Sequence, residues 1–123
     1  MLKALWWTST VLYMAIIYYF SSMSSLKSPV SFPHADKVAH AIEYGILSIL
    51  LYFALRSTSR FSPRLVFFIA FSITLLFGFS DEVHQFFVAG RNCSGGDLVA
   101  DGLGGYLFLV VIRYFHEKSE KPT

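Results

Sequence analysis

Four apolar blocks separated by short polar segments constrain this chain more than any other feature. They cover residues 4–20, 38–55, 65–80 and 98–115. The whole chain has 123 residues, of which 54% are hydrophobic and 15% are charged. A soluble domain carries about 25% charged residues, and one of this length could not hide so much apolar surface. Because unpaired strands cannot cross lipid, the blocks are predicted to be helices. The predicted fold is an all-α integral membrane protein, a single domain built as a four-helix transmembrane bundle.

Composition excludes several other classes of protein. An aromatic content of 18%, spread along the chain, is not typical of disorder or of a coiled coil. The net charge of +2, without a basic cluster, argues against a nucleic-acid partner. Cys93 is the sole cysteine and cannot form an intramolecular disulfide. The first block could be a signal peptide, but no A-x-A cleavage site follows Phe20, so we expect a retained helix.

The distribution of basic residues predicts the orientation in the membrane. Three lie on one side of the predicted bundle, namely Lys27, Lys37 and Arg91. Seven lie on the other side, at the two termini and in the second connection: Lys3, Arg56, Arg60, Arg64, Arg113, Lys118 and Lys121. Since cytoplasmic loops carry the excess of Lys and Arg, both termini are predicted to be cytoplasmic. The first and third connections then face outward.

Acidic residues show the opposite asymmetry, with six of the eight in the outward half of the chain. A hydrocarbon core of ~30 Å needs about 20 apolar residues, and the third and fourth blocks are shorter than that. Asp81 and Glu82 are therefore predicted at or below the outer interface, and Asp101 within the membrane thickness.

Helical spacing aligns polar residues into one stripe on each of three helices. The stripes are Asp36, His40, Glu43 and Tyr44 on the second helix, Asp81, Glu82 and Gln85 on the third, and Asp97 and Asp101 on the fourth. An ionised side chain that faces lipid costs on the order of 2.5–3.5 kcal/mol on insertion scales, so the stripes are expected to turn inward and meet in an acidic cavity open to the outside. Small residues at the start of the fourth helix would allow a neighbouring helix to approach closely, namely Gly102, Gly104 and Gly105. The predicted binding residues are Asp36, Lys37, His40, Glu43, Tyr44, Asp81, Glu82, Gln85, Arg91, Asp97 and Asp101.

Ordered motifs from Asp36 to the fourth helix resemble those of the VanZ-like membrane proteins. They are D-K-x-x-H at residues 36–40, D-E-x-x-Q at 81–85, a G-R pair at 90–91 followed by Asp97, and D-x-x-G at 101–104. The family often has Asn at the position of Asp101. The resemblance implies a multi-pass protein of the bacterial cytoplasmic (inner) membrane, associated by name with teicoplanin resistance, and it implies no known reaction.

Each candidate residue has a structural interpretation beside the functional one. His40 is either hydrogen-bonded to a carboxylate for structural reasons, an acid or base, or half of a metal site. Glu82 is either a catalytic carboxylate or the partner of Arg91 or Lys37 in an ion pair. Arg91 is either a clamp for an anionic group or a counter-ion for the acids. Asp97 is predicted to cap the fourth helix, and Cys93 is not expected to be a nucleophile.

Two functions from different classes remain open. The first is binding of an amphiphilic, lipid-linked cell-wall component or a glycopeptide or lipoglycopeptide antibiotic in the acidic pocket. The second is an outward-facing hydrolase or transferase acting on a lipid-linked substrate, with Glu82 or Asp101 as general base and His40 as acid or ligand. The lipid bilayer is the expected partner, and a homo-oligomer is left open. No cofactor or metal ligand set is predicted, although a divalent cation would suit a site of histidine and carboxylate.

Overall fold

Four α-helices make up the part of the chain that the structure describes. The computed structural model describes residues 1–23 and 34–120. Within them the helices are α1 (Leu2–Ser21), α2 (Ala35–Thr58), α3 (Pro63–Phe86) and α4 (Gly95–Glu120), and no strand is present. The all-helical prediction is confirmed. The predicted serine-rich first connection, and with it Lys27, lies mostly outside the described residues, as does Lys121.

The helices extend beyond the apolar blocks that indicated them. α3 has 24 residues and includes Asp81 and Glu82, which the sequence places after the apolar block. The helix begins where Pro63 follows Ser62, whose hydroxyl accepts a hydrogen bond from the Leu65 N–H at 3.2 Å. The carboxylates do not end the helix, because they turn into the bundle, where both are buried.

Three of the four helices are long and apolar enough to cross a membrane, as far as the described residues go: α2, α3 and α4. Their outer surfaces carry large exposed apolar side chains, such as Leu76, Leu103 and Phe115, which is the surface that lipid requires. The predicted span in α1 is not among the three, and the run Thr8, Ser9 and Thr10 lowers its apolar content. The described chain is therefore an all-helical membrane protein with three candidate spans.

α2 and α4 share the most extensive contact of any helix pair in the described bundle. A Cβ atom at Gly104 would collide with the backbone of Ala41, so only glycine permits this approach. The Ser48 hydroxyl donates to the Gly105 carbonyl at 3.1 Å across the same contact. Asp101 lies one turn before Gly104 on α4, and the contact therefore brings its carboxylate next to α2. The close approach predicted from the glycines is found at Gly104.

The apolar core begins beside the acidic residues, with Ile17 and Tyr44, and continues toward the opposite end of the bundle. It is built mainly by α2 and α3, with one residue from α1 and one from α4: Ile17, Tyr44, Leu47, Leu51, Tyr52, Val66, Phe67, Ala70 and Leu109. α1 packs against α2 and the edge of α3. Below the polar stripes, the helices are therefore held together by a packed apolar core.

Candidate functional site

Three helices place one polar side chain each at a common point. His40 of α2, Glu82 of α3 and Asp101 of α4 have ligand-type nitrogen and oxygen atoms that all lie within 4.8 Å of one another. Asp101 is fully buried and Glu82 is only 3% exposed. We call these three residues the buried triad. The sequence predicted that ionisable groups from these three helices converge, and at these positions they do.

Each carboxylate of the buried triad has one oxygen held by the protein. Asp101 Oδ1 lies 2.9 Å from His40 Nδ1, and Glu82 Oε2 accepts a hydrogen bond from the Ser94 N–H at 3.0 Å. The second oxygens, Asp101 Oδ2 and Glu82 Oε1, have no hydrogen-bond partner among the described residues. Buried polar atoms without partners are uncommon in folded proteins, so these two oxygens are available to a ligand.

Asp81 extends the acidic cluster beside the buried triad. Its Oδ2 atom accepts a hydrogen bond from the Tyr44 hydroxyl at 3.0 Å, and the Gln85 amide lies at 3.5 Å from the same oxygen. Its Oδ1 atom is buried and has no partner within residues 1–23 and 34–120. The Tyr44 and His40 rings are parallel, with centroids 6.4 Å apart. Tyr44 and Gln85 therefore position Asp81, and one carboxylate oxygen stays free.

Lys37 joins α2 to α4 at the edge of the cluster. Its ammonium group lies 3.1 Å from Asp97 Oδ1 and 3.4 Å from Asp36 Oδ2. Asp97 lies in the first turn of α4, where the backbone of Ser94 starts the helix by accepting from the Asp97 and Leu98 N–H groups. The prediction that Asp97 caps this helix is therefore wrong, because the helix begins two residues earlier. The Asp97 carboxylate instead binds a cation on α2.

Arg91 and Glu82 do not form the ion pair considered from the sequence. The Arg91 guanidinium donates to the carbonyls of Met23 at 2.7 Å and Phe20 at 2.8 Å. Arg91 follows the turn at Gly90, whose φ of 78° lies in the left-handed region that glycine tolerates. This turn brings Arg91 to the end of α1, so it forms no ion pair with a described carboxylate. Lys37 is likewise bound to Asp36 and Asp97 rather than to Glu82.

A cavity of about 580 Å³ lies between α1, α2 and α3, next to the buried triad. Its polar wall is formed mainly by side chains of α2 and α3: Asp36, His40, Glu43, Asp81, Gln85 and Arg91. Its apolar wall comes from α1 and from the face of α2 that reaches the outer surface: Ile17, Phe20, Ile42 and Ile46. All the predicted binding residues thus lie in the cavity wall, in the buried triad or in direct contact with one of them.

The first helix contributes to the site in a way that the sequence did not reveal. Aromatic residues near both ends of a span are typical of an interfacial belt, yet Tyr13 lines the cavity and donates from its hydroxyl to the Glu43 carbonyl at 3.1 Å. Gly78 was also missed. A Cβ atom there would lie 3.1 Å from Asp101 Oδ2, so the glycine makes room for the carboxylate. Both contacts join residues from different helices, and no local pattern signals them.

Comparison with known proteins identifies the family. Neither the curated proteins nor the solved structures give a match. The model of the VanZ/LLP1 family matches residues 5–116, a range that includes most of α1 and α4 and all of α2, α3 and the buried triad. This match covers nearly the whole chain and agrees with the motifs at residues 36–40 and 81–85. The chain therefore belongs to the VanZ/LLP1 family of membrane proteins.

Proposed function

We propose that this membrane protein binds an amphiphile, with its polar end against Glu43 and Asp81 and its apolar part along Ile42 and Ile46. The observation that carries the proposal is the two-sided cavity between α1, α2 and α3, in which carboxylates face isoleucine and phenylalanine side chains. Ile42 and Ile46 are 48% and 38% exposed on the outer surface of the bundle. An apolar chain could therefore run from the cavity into the surrounding lipid.

The charge of the cavity specifies the polar end of the ligand. Asp36, Glu43 and Asp81 supply carboxylates, and the Arg91 guanidinium is already engaged by two carbonyls. The favoured group therefore donates hydrogen bonds or carries positive charge, as an amine does. A volume of about 580 Å³ lies within the usual range of roughly 300–1,000 Å³ for small-molecule sites. It suits one end of a lipid-linked cell-wall component or of a lipoglycopeptide antibiotic rather than the whole molecule.

We infer that the protein is a multi-pass protein of the bacterial cytoplasmic membrane, with both termini inside and α1 as a fourth span. The charge distribution supports this orientation, since Arg56, Arg60, Arg64 and Arg113 lie at the end of the bundle opposite the carboxylates. With the cavity facing outward, the protein would meet such amphiphiles on the cell surface. Reduced susceptibility to teicoplanin is the cellular effect that this predicts.

The exposed Cys93 provides a test of orientation. Partial desolvation and the nearby Glu82 carboxylate raise the pKa of its thiol, so the labelling is best done at alkaline pH, where more thiolate is present. A membrane-impermeant maleimide is expected to label Cys93 in intact cells, with Cys93→Ser as the blank. Labelling only after lysis would place the cavity on the cytoplasmic side and contradict the orientation.

A binding experiment tests the cavity itself. We expect dodecylamine and teicoplanin to bind the full chain in lipid nanodiscs, above protein-free nanodiscs, and dodecanol to bind more weakly than dodecylamine. Asp81→Asn and Glu43→Gln should each weaken dodecylamine binding by roughly tenfold or more, because hydrogen bonds to charged groups contribute about 1.5–3 kcal/mol. Glu117→Gln, a carboxylate at the other end of the bundle, is the matched control. Unchanged affinity in folded Asp81→Asn and Glu43→Gln would contradict the proposal.

A hydrolase or transferase acting on a lipid-linked substrate is the second candidate. It is favoured by the 2.9 Å contact of His40 Nδ1 with Asp101, beside the free oxygen of Glu82. In hydrolysis, Glu82 or Asp101 would take a proton from an attacking water, and His40 would return a proton to the leaving group. Under this alternative Glu82→Gln abolishes product formation and leaves binding nearly normal, whereas under the binding proposal no lipid-linked substrate gives a product.

A further inference from the structure

We propose that the buried triad is a binding site for a divalent transition-metal ion, formed by His40, Glu82 and Asp101. The site lies between α2, α3 and α4 and shares His40 with the amphiphile cavity, whose wall includes neither Glu82 nor Asp101. Metal binding at the buried triad requires no amphiphile in the cavity.

The geometry of the donor atoms supports a metal ion. One ligand atom from each residue lies within 4.8 Å of the other two. Zinc ligands lie about 2.0–2.2 Å from the ion, which separates tetrahedral ligand atoms by roughly 3.4 Å. Small rotations of the Glu82 and Asp101 side chains would close this difference. The three residues come from three different helices, so no single helix could supply the site.

The unpartnered oxygens are the second, independent observation. Glu82 Oε1 and Asp101 Oδ2 belong to side chains that are at least nine-tenths buried, and neither has a partner among the described residues. The opposite oxygen of each carboxylate is already held, by the Ser94 N–H and by His40. A metal ion would therefore give both free oxygens a partner at once, and the hydrogen bond from the Ser94 N–H would hold Glu82 in place for it.

The surroundings of His40 fit the same interpretation. Its Nδ1 atom lies 2.9 Å from Asp101 Oδ1, and its Nε2 atom lies 4.0 Å from Asp97 Oδ2. If Nδ1 binds the ion together with Asp101, the Nε2 atom still faces the Asp97 carboxylate, and a carboxylate on the second nitrogen is how metal-binding histidines are usually oriented. One imidazole with two carboxylates is a ligand set typical of Zn²⁺, Mn²⁺ or Fe²⁺ rather than Ca²⁺. Three protein ligands leave one position of a tetrahedral ion to water.

The test is metal binding by the purified full chain in nanodiscs, after chelator treatment, with Zn²⁺ and Mn²⁺ as probes and no amphiphile present. We expect one ion per chain by calorimetry and elemental analysis. His40→Gln, Glu82→Gln and Asp101→Asn should each lower the affinity by on the order of 100-fold, since loss of even a supporting residue costs about 10–100-fold. Glu117→Gln, a carboxylate paired with Arg113 at the other end of the bundle, is the matched control and should bind as the wild type does.

Spectroscopy and thermal unfolding separate loss of the ion from loss of the fold. Co²⁺ bound at the site should give the intense visible absorption of a tetrahedral ion, and Zn²⁺ should raise the unfolding temperature of the wild type but not of Glu82→Gln. The proposal is overturned if the wild type binds no ion, or if folded Glu82→Gln and His40→Gln bind it unchanged. Neither result bears on amphiphile binding, which is measured separately with the Asp81→Asn and Glu43→Gln variants.

Discussion

The acidic groups at the two ends of the bundle, six at the carboxylate end and two at the arginine end, have opposite environments. At the arginine end, Glu120 lies 3.2 Å from Arg56, and Glu117 lies 2.7 Å from Arg113. These side chains are 51% and 38% exposed, and each has a basic partner. At the carboxylate end, Asp81, Glu82 and Asp101 are almost fully buried, and each keeps one oxygen without a described partner.

The difference in burial and pairing distinguishes surface charges from charges that form a site. Exposed ion pairs contribute about 0–1 kcal/mol and are readily replaced. Buried carboxylates without full partners destabilise the folded state, because hydrogen bonds and ion pairs do not offset the hydration that they lose. A fold that places three of them together at such a cost is expected to use them, because strained and unsatisfied groups concentrate at functional sites.

The largest effect on stability is expected at Gly104, where the contact between α2 and α4 holds the carboxylate end together. Gly104→Ala places a methyl group against the backbone of Ala41, which forces α2 and α4 apart and separates His40 from Asp101. The free energy of unfolding should fall by about 3 kcal/mol or more, at the upper limit of overpacking. Thermal unfolding in detergent measures this.

Gly95→Ala is the matched control for that change. No atom lies within 4 Å of a Cβ at Gly95, at the first residue of the same helix. Its unfolding temperature should therefore stay near that of the wild type. If Gly104→Ala is as stable as Gly95→Ala, the close contact does not build the carboxylate end, and the comparison of the two ends loses its structural basis.

The smallest effect on stability is expected from a substitution at the arginine end. Glu120→Gln removes the exposed pair with Arg56 and should change the free energy of unfolding by less than ~1 kcal/mol. The shift should shrink further in high salt, because exposed charges are screened. A loss as large as that of Gly104→Ala, measured in the same detergent, would show that the arginine end is not merely a surface.

The sequence was sufficient for the helices and for the convergence of polar residues, because both follow from general rules. Apolar blocks must become helices in lipid, and the spacing of Asp97, Asp101 and Gly104 fixes which residues share a face of α4. The helix ends were predicted too early, because Asp81 and Glu82 were treated as the edge of an apolar block. In the bundle they face other helices, and the helix continues through them.

The individual partners of the charged groups could not be predicted in the same way. Arg91 reaches the carbonyls at the end of α1 because of the turn at Gly90, and Glu82 accepts from a backbone N–H of the following connection. Both contacts depend on the path of one short segment. The wall that α1 contributes to the cavity depends on tertiary packing alone, and the sequence suggested only an aromatic belt. Residue types thus indicated the kind of site, whereas the paths of the loops determine which groups are bonded to one another.

The most direct test of the account is the stability of metal-free Glu82→Gln compared with that of the wild type. The buried carboxylate of Glu82 is held by the Ser94 N–H through one oxygen, and glutamine keeps that acceptor while removing a buried negative charge. We therefore predict that the free energy of unfolding in chelator rises by about 1 kcal/mol. A fall in that free energy would show that the Glu82 carboxylate stabilises the fold, and would contradict the claim that the carboxylate end is kept for a ligand.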